Sequence, residues 1–164
     1  MRSFEPLTSG IYILLVKTAA WQESCWRQFV REGDRITFLK SQTGDIGLMQ
    51  VNKHVWRGFY SLARLQWDVA YNAGAGAEIL GRLMMQCAVP IASLAPEGKA
   101  VVARASYSAY NGGPTACMRW RRADAPLMAR RIDEAFWQKY QVLDDGDDPN
   151  LLECAAQWTL AAGH

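Results

Sequence analysis

The chain has two histidines, His54 and His164, and four cysteines, Cys25, Cys87, Cys117 and Cys154, of which no pair has CxxC spacing. A structural zinc site draws four closely spaced Cys and His ligands, so neither a metal nor a cofactor is expected. Charge of one sign is missing as well, since 18 basic against 16 acidic side chains leave a net charge of +2. Nucleic-acid binders carry a clear basic excess, so no nucleic acid is expected as a partner. Long apolar runs are lacking too. The run at 11–16 is ended by Lys17 and falls far short of the ~20 residues that cross a bilayer. No membrane span and no secretory leader are expected, and the chain reads as a mature domain or as part of a longer protein. There is no internal repeat and no low-complexity tract.

What is present is the composition of a globular domain. Half of the 164 residues are apolar and 21% are charged, which favours one domain over 1–164 with a real core. Seven Trp and six Tyr are many for this length. Most of them serve packing, and any left over suit a groove whose ring faces stack on sugars. Arg119, Arg121 and Arg122, followed by Arg130 and Arg131, read as a solvated helix face; attraction to an anionic polymer is the functional alternative. Four cysteines permit two disulfides with three pairings, among which the spacing does not choose. Cys25 lies in a helical stretch and reads as a buried free thiol.

The periodicity is mainly helical. A helix is expected over about 11–29, with Leu15, Ala19, Glu23 and Trp26 on one face. The carboxylate of Glu23 on that apolar face is the first anomaly. The period then changes to two alternating runs around Gly33-Asp34, which predicts a small β-hairpin over about 29–39. From about 68 the chain is helical again, with Asp68 as cap and Ala70, Ala73, Ala77, Leu80 and Leu83 along it. Pro90 and the region 96–98 read as interruptions. A helix over 99–110 is stopped by Asn111-Gly112-Gly113-Pro114. Another spans about 126–140, then comes an acidic loop over 144–149, and Asn150 is placed to cap a last helix.

Four blocks occur in a fixed order along this frame. Glu23-Ser24 sits in the first helix. Ser41-x-x-Gly44-x-x-Gly47-Leu48-Met49-Gln50 follows, then Asn72-x-x-x-Gly76-x-x-x-Leu80, then Ala109-Tyr110-Asn111-Gly112-Gly113-Pro114. This ordered set resembles the soluble lytic transglycosylase (SLT) domain family, over about 10–116, with a C-terminal helical extension over 117–164. The resemblance implies a mainly α, lysozyme-like helical domain with one small β-hairpin near the active-site cleft. It implies peptidoglycan glycan strands as partner, in the periplasm or cell envelope, with a larger envelope or secretion assembly as a further partner. Two departures stand out. The Glu23–Ser41 spacing is long, and Asp45 stands where the family often has a small residue, which leaves hydrolysis by water open. A Tyr71-Asn72-Ala73-Gly74 string mimics the tyrosine block, but Asn72, Gly76 and Leu80 belong to the third block, so Tyr110 takes the role. Gly74-Ala75-Gly76 mimics a dinucleotide fingerprint, yet no strand precedes it and position 79 is Ile.

A glutamate among apolar neighbours has its ionised form disfavoured, which keeps a proton for donation near neutral pH. The resemblance makes Glu23 the single acid and base of a non-hydrolytic cleavage that leaves 1,6-anhydro-MurNAc ends. A lysozyme-type hydrolase and a non-catalytic peptidoglycan-binding module are the alternatives. By the same resemblance Ser41 bonds the substrate acetamido group, and Met49 and Gln50 line the groove. Tyr110 contacts the glutamate through its hydroxyl, and Asn111 borders the site while ending its helix. Ser24 supports the helix locally, and Gly44 and Gly47 let backbone approach the sugar.

Overall fold

The computed structural model describes residues 5–92, 98–149 and 154, which form six α-helices and two short antiparallel strand pairs. The helix anticipated after Asn150 and the interruption at Pro96 fall outside the described residues. Helix α1 (Glu5–Ser24) runs through the middle, because Ile11, Leu15, Thr18, Ala19, Ala20, Trp21 and Ser24 give it buried residues on more than one face. It stops at Ser24, earlier than the apolar spacing suggests. Cys25 and Trp26 both take left-handed backbone, with φ of 52° and 55°, a conformation unfavourable for residues with a Cβ. Local contacts hold them there. Trp26 Nε1 donates to the Lys17 carbonyl at 3.1 Å, and its ring stacks on Trp21 at 5.3 Å. Trp26 therefore lies beyond the helix, not on its face.

Cys25 is not a free thiol. It is bonded to Cys154, 129 positions away, and Cys87 is bonded to Cys117. Nothing local in the sequence marks a partner so distant.

Strands β1 (Phe29–Glu32) and β2 (Arg35–Phe38) form the anticipated hairpin, with Phe29 opposite Phe38 and Glu32 opposite Arg35. Phe29 and Phe38 both pack on Trp67, at 6.0 and 5.5 Å between ring centroids. A bridge between Lys40 and Ile46 joins this hairpin to a second pair, β3 (Asp45–Ile46) with β4 (Val51–Asn52). Two-residue strands show no alternation, which is why periodicity did not reveal them.

Helix α2 (Leu62–Trp67), also unanticipated, is capped by Ser61. Asp68 caps α3 (Val69–Leu83) as expected, its Oδ1 accepting the Tyr71 N–H at 2.9 Å. The buried stripe of α3 is Asn72, Ala75, Gly76, Ile79, Leu80 and Leu83, so Ala70, Ala73 and Ala77 do not carry it. A π-helical turn at Met84–Ala88 carries the chain directly into α4 (Val89–Ala92). Pro90 therefore does not interrupt the helix; it sits in the first turn after the wide π register, where a missing N–H is tolerated. Helix α5 (Gly98–Gly112) buries eight residues from Val101 to Ala109, and α6 (Leu127–Asp144) covers it with Asp133, Phe136 and Tyr140. Tyr107 stacks face to face on Phe136, 4.0 Å between centroids. The fold is mainly α, with its β-structure gathered between α1 and α2.

Candidate active site

The end of α1, the loop over 41–52 and the end of α5 converge on a cavity of about 510 Å³. Its walls include Glu23, Thr43, Asp45, Gln50, Trp56, Tyr110 and Asn111. Glu23, Gln50 and Tyr110, far apart in sequence, meet there as the motif order implied.

Two buried amides hold the loop. Gln28 accepts the Leu48 N–H at 2.9 Å and donates to the carbonyls of Leu65 and Gln66. Asn72 accepts the Met49 N–H at 2.8 Å and donates to the carbonyls of Ile46 and Leu65. Ser24 Oγ adds a donation to the Leu48 carbonyl at 2.6 Å, so Ser24 ties the loop to the C-terminal end of α1. Gly47, at φ 72°, lies over these amides: a Cβ there would come within 2.4 Å of both Gln28 and Asn72. A glycine is required here by this close packing. Gly44, at φ 91°, likewise packs under the His54 ring.

Met49 is fully buried and presses on α3, where a Cβ at Gly76 would sit 2.3 Å from its own Cβ. The sequence reading had it lining the groove; its side chain is instead core, since the loop turns inward there to meet Asn72. Gln50, at φ 49°, faces the cavity and donates to the Gly47 carbonyl at 2.8 Å. Ser41 does not line the cavity wall. Its hydroxyl donates to Asp45 Oδ2 at 2.5 Å, so it holds Asp45. Thr43 Oγ1 donates to the same oxygen at 2.5 Å, and Asn52 Nδ2 donates to Oδ1 at 2.7 Å. Burial opposes ionisation of Asp45, but these three donors and its own backbone N–H outweigh it and keep the carboxyl below its ordinary range.

Glu23 is tuned the opposite way. Burial is the dominant influence and pushes its carboxyl from an ordinary 4.5 up to about 7, against hydrogen bonding from Tyr107 and with help from the negative charge of Asp45. Lys139 and the amide of Asn111 pull it back down by smaller amounts. The hydroxyl on the glutamate is that of Tyr107, which donates to Glu23 Oε1 at 2.7 Å. Tyr110 donates instead to the Met49 carbonyl at 2.6 Å. This corrects the assignment of Tyr110 as the contact to the acid. The two tyrosines are three positions apart on α5 and share a face. Tyr107 sits in no recognisable string, and only that shared face pointed to it. Tyr71, the decoy, lies away from the cavity and accepts the Ser61 N–H at 3.0 Å. Among the described residues no group of three or more Cys, His, Asp or Glu side chains forms a metal site.

A cavity lined by a glutamate whose pKa burial raises and by an aspartate whose pKa its donors lower fits the motif order. The family model for the transglycosylase SLT domain matches residues 7–131. The chain belongs to the transglycosylase SLT domain family. The match covers well over half of the sequence and runs from within α1 through α5 into the start of α6, with the whole cavity wall. The mostly helical architecture with its small antiparallel hairpin is that of a lysozyme-like SLT domain. No curated protein and no solved structure matches the chain. The family is one of peptidoglycan lytic transglycosylases, and no described helix of this SLT domain is long and apolar enough to cross a membrane.

Proposed function

We propose that this SLT domain cleaves the MurNAc-β-1,4-GlcNAc bond of peptidoglycan without water, with Glu23 as its one acid and base. The observation that carries the reading is the split between the two cavity carboxyls: burial raises Glu23 to about 7, so a large share of it is still protonated near neutral pH, while its hydrogen-bond donors hold Asp45 below the ordinary carboxylate range. An acid must hold its proton at working pH to give it away.

The protonated Glu23 donates to the glycosidic oxygen, and the C1–O bond breaks as the departing GlcNAc takes that proton. Positive charge develops at C1, where the sugar's own acetamido group meets it. Asp45 supplies a fixed negative charge on the same cavity wall. Glu23, now a carboxylate, removes the proton of the C6 hydroxyl, and O6 closes on C1 to give the 1,6-anhydro ring. Glu23 ends protonated, ready for the next bond. The attacking oxygen belongs to the sugar itself, so its proximity replaces a positioned water. Gln50 and Asn111 face the sugar. Ser41 and Met49 act through Asp45 and the loop, while Ser24 and Gly47 support the wall. The substrate places the reaction in the periplasm or cell envelope, where a larger envelope or secretion assembly would direct it.

Hydrolysis is the second reading, because Asp45 shares the cavity and could orient a water. Three side-chain donors occupy its oxygens, however, and leave it little basicity for that task. Mass spectrometry of digested peptidoglycan separates the two. Anhydro-MurNAc ends are expected; reducing ends from wild-type protein, absent with Glu23→Gln, would replace transglycosylation by hydrolysis.

A further inference from the structure

Behind the cavity wall lies a buried ion pair that the reaction as written does not use. Arg119, in the short helical turn after α5, donates through Nε to Asp133 Oδ2 at 2.9 Å and through one terminal nitrogen to Asp133 Oδ1 at 2.6 Å. Asp133 comes from α6 and is 3% exposed; the Arg119 side chain is 14% exposed. Arg119 is thus no part of a solvated basic face. The same terminal nitrogen also donates to Asn111 Oδ1 at 3.1 Å. Gly112 makes room for this arrangement, since a Cβ there would lie 2.5 Å from the guanidinium.

An asparagine amide has one acceptor end and one donor end, and either can be turned toward a neighbour. A guanidinium offers only donors. With Oδ1 committed to Arg119, the NH2 end of the amide is the one left for the cavity whose wall Asn111 shares with Glu23, and this amide is among the groups that hold the Glu23 carboxyl down. Asp133 fixes the guanidinium through two parallel bonds, a geometry that leaves it little freedom to swing away.

We propose, on the basis of the function above, that the Arg119–Asp133 pair is a positioning device for catalysis, locking the Asn111 amide so that it donates to Glu23. The flipped amide would turn its carbonyl oxygen on the carboxylate and disfavour the base form needed for the second half of the reaction. Asp133 lies just outside the residues matched by the family, so the device joins the α6 extension to the SLT site. The other charged or titratable groups around Glu23 are Tyr107 and Tyr110 from α5, Asp45 from β3 and Lys139 from α6. None of them bonds Asn111, and Asp133 also acts on Tyr107 through its charge.

Removing Arg119 alone would strand a buried carboxylate, so the informative variant is the double replacement Arg119→Met with Asp133→Leu, which removes both charges while filling the space. Thermal midpoints check folding. Carbon NMR of the Glu23 carboxyl then reads its titration directly, beside Asn111→Ala. The titration near 7 is expected to move upward in both variants by the same amount, with no further movement when they are combined. Turnover of peptidoglycan is expected to fall in both, and further in Asn111→Ala, which also removes an amide from the sugar-facing wall. A folded double variant that titrates Glu23 as wild type does, while Asn111→Ala shifts it, overturns the proposal, and so does additive behaviour. Shifted titration with unaltered turnover would leave the positioning intact and remove instead the acid–base role given to Glu23.

Discussion

Glu23→Gln should make the protein more stable at alkaline pH while leaving it unchanged in acid. The glutamine keeps the shape and can still accept the Tyr107 hydroxyl, but it never ionises. In the wild type the carboxyl titrates near 7 when folded and near 4.5 when unfolded. A folded-state value raised in this way favours the folded protein fully below 4.5. That advantage is lost progressively as pH climbs to 7 and beyond, because the folded state must then carry a buried charge. A gap of this size corresponds to about 3 kcal/mol between the two extremes. For a domain of this length, each kcal/mol moves the thermal midpoint by roughly 2–4 °C. The midpoint advantage of Glu23→Gln should therefore grow by roughly 6–12 °C between pH 4 and pH 9. Thermal unfolding followed by circular dichroism across that range, at fixed ionic strength, measures it. Parallel curves with a constant offset would refute the argument, since they would mean that Glu23 titrates alike in the folded and unfolded chain. The mutation that should abolish turnover, by at least ~10²-fold, is thus also expected to stabilise.

Tyr107→Phe removes a hydrogen bond to a charged group, worth roughly 1.5–3 kcal/mol, so the alkaline limb of the activity profile should move up by about one to two pH units. Tyr110→Phe strands the Met49 carbonyl and should cost roughly 1–3 kcal/mol of stability with that limb in place; the opposite pattern would return the contact to Tyr110. Replacing Cys25 and Cys154 by serine opens a loop spanning 129 positions, and the chain-entropy argument predicts a loss of about 5 kcal/mol, read as a lower urea midpoint. An unaltered midpoint would show that this bond does not hold the folded state together.

The sequence made the four long helices and the first hairpin legible because each is long enough to show a period, or has a turn at Gly33 or a cap at Asp68, whereas the short α2 and α4 are not. It also brought Glu23, Gln50, Tyr110 and Asn111 to one place, since the four blocks are ordered strings. What escaped it has no period. Strands β3 and β4 are two residues long, and Tyr107 is an unmarked helix residue. Arg119 looked like one of several surface arginines until α6 brought Asp133 against it. Met49 fell the other way, because a motif records that a residue is required and not which side of the loop it serves. Cys25 reads as a free thiol from its neighbours alone for the same reason as Arg119: its partner, Cys154, is distant in the chain.

The double amide clamp of Gln28 and Asn72 has a consequence for how a glycan strand is received. Three hydrogen bonds from the two amides hold the loop bearing Asp45 and Gln50, and three more anchor the same amides on the Leu65 and Gln66 carbonyls of α2. The conformational freedom of that wall is therefore surrendered when the chain folds and not when sugar arrives. An arriving strand has only its own freedom to lose, so more of its contact energy remains for distorting the ring that will react. Loosening the clamp, even by a change that touches no substrate, would shift that loss back onto binding and weaken affinity and turnover together.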